Sequence, residues 1–221
     1  EKDLISSLNW KKWSPDVVPV FTPAESLAQF KVAPGFKVEL VASEPMIKDP
    51  VFVDWDDAGR MWVGELRTYM RDLDGTGENE RMSRVMVLED TDQDGVMDKA
   101  TPFVDDMINV RCIAFVDGGV LVVETGGLWF CKDIDGDLRC DERKKLIDFA
   151  TAAQSNIEHA ENALHFALDN WMYNSKSSRK LAWRKGKLIE MPAKGRGQWG
   201  MASDAFGRLY FNANSNWFEV D

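Results

Sequence analysis

The sequence predicts an all-β fold, a β-propeller of the six-bladed type, and three observations support this prediction. Apolar and polar residues alternate with period two along most of the chain after residue 34, as in half-buried strands. Gly, Asp and Asn residues separate these segments where turns are expected. One unit recurs, an apolar strand, an Asp/Gly turn and a second apolar strand, with turns near residues 57, 117, 169 and 206. Each hairpin is expected to be the inner part of one four-stranded blade, and the repetition disfavours a plain β-sandwich.

Residues 1–34 are predicted to form a lead-in that contains one short helix. In the segment TPAES, Thr22 is the expected N-cap, Pro23 the first helical residue, and Glu25 the residue that completes a capping box. Residues 35–221 then form a partial propeller. The hairpins supply about half to two-thirds of a six-bladed ring, and an open ring exposes strand edges. We therefore expect the remaining blades in a longer form of the same chain or in another chain.

The composition excludes some classes of partner. The 221 residues carry a formal net charge of −10, which disfavours nucleic acid and anionic membranes, because both require clustered Lys and Arg. No apolar run approaches the roughly 18 residues of a membrane span. The sequence starts at Glu1, as a mature or trimmed product would, and we expect a periplasmic or extracellular protein without a direct membrane span.

Residues 90–98, DTDQDGVMD, have the ligand spacing of a calcium loop. Carboxylates occupy the first, third, fifth and ninth positions, a glycine at the sixth allows the sharp turn, and the seventh supplies a backbone carbonyl. The bidentate glutamate of an EF-hand is replaced by Thr101, and the flanking segments are strand-like. The alternative is a solvated acidic turn. The predicted ligands are Asp90, Asp92, Asp94, the carbonyl of Val96, and Asp98.

Residues 133–141, DIDGDLRCD, repeat this pattern less completely. Leu138 stands at the glycine position, and Gly136 is expected to take the turn instead. Oxygen ligands without His or Cys favour calcium over zinc, and calcium in such loops is expected to rigidify them rather than take part in chemistry. The predicted ligands are Asp133, Asp135, Asp137, the carbonyl of Arg139, and Asp141.

Two cysteines, Cys131 and Cys140, bracket the second acidic loop. They are predicted to close it as a disulfide, which would imply an oxidising compartment. The alternative is that they are buried thiols, as Cys112 would then also be.

The two histidines differ in position. His159 precedes a predicted strand, at a loop mouth where a general base can reach a ligand. His165 lies within a predicted hairpin, where a packed structural role is expected. His159 is therefore the candidate base.

Three arginines and a glutamine are the candidate binding residues. Arg196 and Gln198 lie in the segment GRGQWG, where glycines allow a ligand to approach the backbone closely. Arg67 and Arg111 stand at equivalent ends of predicted blade strands, so these side chains can converge at one mouth of the channel. An arginine offers a planar fork for a carboxylate, and the alternative is a solvated surface position.

Four segments carry a resemblance to a known family. They are FKVAPGFKVELVASEPMIKDPVFVDWDDAGRMWVGELRTYMRD, VLEDTDQDGVMDK, LDNWMYNSKSS and RGQWGMASDAFGRLYFNANS. From about residue 22 onward, the chain resembles the N-terminal propeller of membrane-bound dehydrogenases of Planctomycetes, Verrucomicrobia and Bacteroidetes. That family is related to the soluble glucose/sorbosone dehydrogenases, which use pyrroloquinoline quinone (PQQ) and calcium, and its members often carry a HEAT-like region and a C-terminal cytochrome c.

The resemblance implies a sugar or alcohol dehydrogenase that passes electrons to a cytochrome c. It implies that His159 takes the substrate's hydroxyl proton and that Arg196 binds a quinone carboxylate or carbonyl, with a cofactor calcium distinct from the two acidic loops. The segment around His159 keeps Leu164, Asp169 and Tyr173 at the family's spacing, with Asn162 in place of a glycine. The segment RGQWG keeps Arg196 and Gly200 but departs from the family at Gly197, Gln198 and Trp199.

A second function stays open from the residues. A propeller that is stabilised by calcium but has no catalytic role would bind a carbohydrate or a protein partner. The indole rings of Trp171, Trp199 and Trp217 would then supply a surface for sugar stacking.

Overall fold

The computed structural model describes residues 20–149 and 157–221, and strands are its main regular element. The strands in these ranges are β1 (Pro50–Trp55), β2 (Met61–Glu65), β3 (Ser83–Glu89), β4 (Lys99–Met107), β5 (Cys112–Val116), β6 (Gly119–Glu124), β7 (Gly127–Lys132), β8 (Glu142–Asp148), β9 (Asn162–Phe166), β10 (Met172–Ser175), β11 (Arg179–Arg184), β12 (Lys187–Pro192), β13 (Met201–Ser203), β14 (Leu209–Phe211) and β15 (Glu219–Val220). In the same ranges, the α-helix α1 spans Pro23–Ala28, and a 3-10 helix, Ile157–His159, precedes β9.

The start of α1 is the predicted capping box. The Thr22 side chain accepts a hydrogen bond from the Glu25 amide at 3.3 Å, and the Thr22 amide donates to the Glu25 carboxylate at 2.8 Å. Pro23 follows in the first turn, where its missing N–H leaves no bond unmade. The chain divides into two compact units, Glu1–Ser43, which contains α1, and Glu44–Asp221, which contains the strands. No helix among the described residues is long and apolar enough to cross a bilayer.

Four antiparallel sheets make up the second unit, and we call them blades 1 to 4 in chain order. Three have four strands in the orders β1–β2–β3–β4, β5–β6–β7–β8 and β9–β10–β11–β12, and the last has the three strands β13–β14–β15. Each blade begins with one of the predicted hairpins, and their turns span 56–60, 117–118, 167–171 and 204–208. The blades confirm the predicted β-propeller, whereas the number of blades in a complete ring stays a prediction.

An aspartate organises the inner turn of blade 1 and of blade 4. The carboxylates of Asp56 and Asp204 each accept hydrogen bonds from two turn amides, from an arginine four residues later and from an aromatic side chain six residues later. Gly59 and Gly207 supply the left-handed backbone that the turn needs, with φ of 79° and 83°. The recurring sequence pattern is therefore a turn signature. The donors are Ala58, Arg60 and Trp62 in blade 1, and Phe206, Arg208 and Tyr210 in blade 4.

The hydrophobic core lies between successive blades. Because side chains on a strand alternate between its two faces, blades 2 and 3 each contribute to a cluster on either side. Burial of these side chains holds neighbouring blades face to face. Examples are Trp62 and Ile113 between blades 1 and 2, Leu121 and Met172 between blades 2 and 3, and Tyr173 and Leu209 between blades 3 and 4.

The loops alternate between two faces because neighbouring strands run in opposite directions. One face, which we call the turn face, carries the inner turns and the loops β3–β4 and β7–β8. The other, the connection face, carries the loops β2–β3, β6–β7 and β10–β11, together with the segments that enter blades 2, 3 and 4. Those entering segments are residues 108–111, 157–161 and 193–200.

Candidate functional site

The predicted chemistry and the predicted calcium loops lie on opposite faces. Arg67 follows β2, and each of the other four candidate side chains lies in a segment that enters a blade, so all five belong to the connection face. The two acidic loops join β3 to β4 and β7 to β8, on the turn face. The four other candidates are Arg111 before β5, His159 before β9, and Arg196 and Gln198 before β13.

The structure brings His159 and Gln198 together. Their Nε2 atoms are 3.3 Å apart, and because an amide nitrogen donates, the His159 ring nitrogen accepts. Gln198 is itself buried, and its backbone is fixed from two sides: its N–H donates to the Asn212 carbonyl at 2.8 Å, and its carbonyl accepts from the Asn162 amide at 2.9 Å. At Gln198 the sequence departs from the quinoprotein pattern that it resembles. This departure places the Gln198 side-chain amide against the ring of His159, the candidate base.

A cavity of about 300 Å³ opens next to this pair. Amide groups and indole rings line it, which is the combination that hydrogen-bonds hydroxyl groups and stacks on the apolar face of a sugar. The Trp217 side chain is 88% exposed, so its ring is accessible to a ligand. The lining residues are Gln198, Trp199, Asn212, Ala213, Asn214 and Trp217.

Arg111 is a buried cation. Arg111 is 3% exposed, and its Nη2 atom donates to the Thr125 hydroxyl at 3.3 Å. The Nε and Nη1 atoms have no hydrogen-bond partner in the part of the chain that the structure describes. Burial lowers the pKa of the guanidinium to about 10, although it stays protonated at neutral pH. A buried guanidinium without a carboxylate is costly, so this position favours an anionic ligand group.

Arg67 and Arg196, in contrast, have anionic partners within the chain. Arg67 Nε lies 3.7 Å from the buried Glu65 carboxylate. Arg196 Nε lies 2.7 Å from the Asp221 carboxylate, its Nη1 donates to the Lys194 carbonyl, and its guanidinium stacks on the Tyr173 ring at 4.6 Å from the ring centre. The Arg196 guanidinium thus joins blade 4 to blade 3 and is not available as the planar fork that the sequence predicts. Arg67 Nε makes no hydrogen bond among the described residues, and its ion pair with Glu65 lies within blade 1.

Sequence reasoning missed Glu161, which lies two residues after His159. Its carboxylate is paired with Arg179 at 3.1 Å, and burial raises its pKa. Asn174 donates to the same carboxylate at 3.5 Å and accepts from the Leu164 amide at 3.2 Å. The sequence signal for Glu161 was its position directly before the apolar strand β9. A carboxylate at such a position is partly buried and pairs with a cation, here Arg179.

The other histidine, His165, lies within β9 opposite Tyr173. Its Nε2 is 3.0 Å from the Ser203 hydroxyl of blade 4, and burial lowers its pKa. This contact joins blades 3 and 4, in agreement with the predicted structural role.

The first acidic loop has the geometry of an ion site. Oxygen atoms of three of the predicted carboxylates lie within 4.8 Å of one another. Asp94 is outside this cluster, and its carboxylate accepts from the Val96 amide at 2.8 Å. Gly95 has a φ of 92°, as the predicted sharp turn requires. The three clustered residues are Asp90, Asp92 and Asp98.

The second acidic loop has the same backbone shape. Its positions four and six, Gly136 and Leu138, have φ of 85° and 67°, where the first loop has Gln93 at 64° and Gly95 at 92°. Gly136 therefore does not replace the turn at position six. Leu138 adopts that conformation itself, while its side chain packs against the core between blades 1 and 2. The three clustered carboxylates belong to Asp133, Asp135 and Asp141, again without the fifth-position aspartate, Asp137.

The predicted Cys131–Cys140 disulfide is not formed, and Cys112, Cys131 and Cys140 are all thiols. Cys131 is wholly buried and Cys140 half-buried, and their side chains are hydrogen-bonded to each other. That contact lowers the pKa of Cys140 to about 7 and raises that of Cys131. The loop is instead fastened by a backbone bond from the Cys140 amide to the Phe103 carbonyl at 2.8 Å, which joins it to blade 1 without a covalent link.

Comparison with known proteins identifies a family and a fold. The model of a family described as a domain of unknown function (DUF7133) matches residues 22–220. No curated protein matches the sequence. A gluconolactonase from Xanthomonas campestris is similar in structure, with 13% identity and a TM-score of 0.54 over 83% of this chain and 61% of that chain.

A second similar structure is the holo form of the PQQ domain of a pyranose dehydrogenase from Coprinopsis cinerea. It shares 14% identity with a TM-score of 0.53, over 81% of this chain and 46% of that chain. Similarity at such identities shows the propeller fold alone. The chain spans less than two-thirds of the length of either relative.

Proposed function

Since the chain belongs to the DUF7133 family of domains of unknown function, we propose a function from its site. The propeller is the calcium-binding part of a quinoprotein dehydrogenase that oxidises a sugar or another alcohol. Pyrroloquinoline quinone is the cofactor, and a cytochrome c domain or protein receives the electrons. The remaining blades lie in the same or another chain, and the protein acts in the periplasm or outside the cell.

The contact between His159 and Gln198 beside the connection-face cavity carries this proposal. A general base must lie within hydrogen-bond reach of the proton that it removes. Gln198 lines the cavity and donates to the His159 ring nitrogen, so a sugar hydroxyl that displaces the Gln198 amide can donate to His159 in its place. His159 then takes the hydroxyl proton.

Arg111 is the residue that fits the cofactor. A quinone carboxylate would supply the anion that its Nε and Nη1 atoms lack among the described residues. Arg111 would hold the quinone, which would supply the hydride acceptor for oxidation of the alcohol carbon. Arg196 does not fit this role, because Asp221 and Tyr173 already hold its guanidinium. Arg111 thus takes the part that the resemblance assigns to Arg196.

The test measures sugar-dependent reduction of a redox dye by the intact protein after incubation with PQQ and calcium. The wild type is expected to reduce the dye, and His159→Ala to lose about 10²–10⁴-fold in rate with little change in thermal midpoint. His165→Ala is the matched control: it should lower the midpoint through the lost Ser203 contact and keep the rate per folded molecule. PQQ binding without any sugar-dependent reduction would contradict the proposal.

One observation favours the second function, a carbohydrate-binding propeller without catalysis. The arginine of the cofactor-binding segment is paired within the chain, so that segment has lost its means to bind a quinone. In this case Trp199 and Trp217 bind the sugar, and His159 only supports Gln198. Calorimetric titration separates the two functions: Trp217→Ala would abolish sugar binding, while PQQ would produce no binding heat at all.

A further inference from the structure

A second cavity lies on the turn face, between blades 1 and 2. Its volume is about 460 Å³, within the range of small-molecule sites. The inner turns of both blades form one side, and the second acidic loop forms the other through Asp133 and Leu138. The candidate active site lies on the connection face, so the two cavities are at opposite ends of the blade strands.

Three aromatic rings form the apolar part of this cavity. The Trp62 ring contacts Phe103 and Phe115 edge to face, with ring centres 4.7 Å and 5.2 Å apart. Trp62 and Phe103 are 4% exposed, and Phe115 is half-buried at the opening. The two buried rings therefore hold the Phe115 ring in place at the opening, and the face of such a ring attracts cations.

The polar part of the cavity is acidic. It contains Asp56, Asp57, Asp117 and Asp133 against a single arginine, Arg60. Arg60 already forms an ion pair with Asp56, with its Nε 2.7 Å from the Asp56 carboxylate. Asp57 and Asp117 form no ion pair with a lysine or arginine of the described residues, so their charge is uncompensated there, whereas Asp133 is a predicted calcium ligand.

The wall of the cavity is held in place. Leu138 packs against the core between the two blades, and the Cys140 amide bonds to the Phe103 carbonyl at 2.8 Å. The loop from blade 2 is thus attached to the outer strand of blade 1. A cavity with walls fastened in this way is preformed, which reduces the entropic cost of binding.

We propose that this cavity binds a small organic cation, an ammonium group on an apolar body. The apolar body contacts Phe115 and Leu138, and the ammonium group lies among the carboxylates of Asp57 and Asp117. An inorganic ion would need the carboxylates but not the rings, and a neutral sugar would gain nothing from the uncompensated charge. An organic cation is the chemistry that uses both features.

The probe is 2-phenylethylammonium, titrated calorimetrically into the intact protein in millimolar calcium, so that the amine does not act by occupying an empty calcium loop. Saturable binding in the low-millimolar range is expected. Its neutral analogue, 2-phenylethanol, has the same apolar body and should bind at least about fivefold more weakly, because it lacks the charge interaction.

Two variants and one control locate the site. Asp117→Asn keeps an oxygen for the Trp183 indole, which donates to Asp117 at 3.1 Å, yet removes the charge and should weaken the amine about fivefold. Phe115→Ala should weaken the amine and the alcohol alike. Asp105→Asn removes the same charge from an exposed position outside the cavity and should leave binding unchanged. Equal affinity for amine and alcohol, equal weakening by Asp105→Asn and Asp117→Asn, or no saturable binding would each overturn the proposal.

Discussion

At the scale of single residues, burial separates Arg111 from the other arginines. Arg67 and Arg196 face carboxylates within the chain, whereas Arg111 has only the Thr125 hydroxyl among the described residues. Its folded-state pKa, about 10, is below the ordinary value of 12.5. The unfolded chain therefore binds the proton more tightly, and the charge costs stability at every pH below about 10. A residue retained at such a cost is expected to serve a ligand.

Arg111→Met tests this expectation with two measurements. The free energy of unfolding without ligand should rise by about 1 kcal/mol, because an unpaired buried charge is replaced by an apolar side chain of similar length. Binding of PQQ, followed by calorimetry, should be lost. Arg67→Met is the control, since it leaves the buried Glu65 with one partner fewer and should lower stability. A large loss of stability in Arg111→Met would instead indicate a structural role.

The cysteine pair gives a second residue-level prediction. Cys140 should react with iodoacetamide in the native protein with a midpoint near pH 7, because the Cys131 thiol stabilises its thiolate. Cys112 should stay unmodified until the protein unfolds, since burial raises its pKa to about 12. Mass spectrometry of partial digests measures both rates. A Cys140 midpoint near the ordinary thiol value of about 8.5 would show that Cys131 does not stabilise its thiolate.

At the scale of elements, the two acidic loops are the same structure with different sequences. Both hold left-handed residues at positions four and six, and both gather the first, third and ninth carboxylates. Repulsion between carboxylates this close is relieved by a cation, so calcium binding in these loops stays our prediction. Calcium at 100 times its dissociation constant would stabilise the protein by about 2.7 kcal/mol per site.

A substitution at Gly95 tests whether calcium binding in the first loop requires the left-handed backbone conformation at that position. A Cβ on Gly95 would meet nothing within 4 Å, so Gly95→Ala changes only the strain of a φ of 92°. We expect it to cost about 1 kcal/mol and to weaken calcium binding in a fluorescence or calorimetric titration. Gly195→Ala is the matched control, because its Cβ would make an ordinary contact at 3.6 Å and its φ is unstrained. If Gly95→Ala and Gly195→Ala weakened calcium binding equally, calcium binding would not depend on the left-handed turn at Gly95.

At the scale of the whole molecule, apolar clusters hold successive blades together, and one side of the last blade is not covered by any residue that the structure describes. Phe218 and Val220 on or beside β15 are 72% and 51% exposed. Adjacent blades of a propeller bury this kind of surface. The remaining blades that we propose would therefore pack here.

Two proteins test the proposed completion of the ring. The 221-residue chain alone should bind a hydrophobic dye such as ANS and self-associate, and Phe218→Ser should reduce both effects. A longer protein that contains the chain should do neither. Equal dye binding by both proteins would mean that no further blade covers this surface.

Local patterns were enough for much of the fold. The capping box at Thr22, the inner turns and the propeller follow from the period-two alternation and from the turn chemistry of Asp and Gly, which act over a few residues. The acidic loops were recognisable for the same reason, because their ligand spacing is encoded within nine positions.

What the sequence by itself determined is therefore the class of the fold, its hairpins and the loops in which carboxylates gather. Only the tertiary structure decided which side chains meet across blades. The sequence predicted Arg196 as the binding arginine, but Asp221 directly follows β15 and becomes its partner only when blade 4 folds. The packing of the blades leaves Arg111 without a carboxylate partner among the described residues and brings Gln198 to His159 across 39 positions of sequence. Such pairings depend on distances between elements, and no local pattern of residues specifies them.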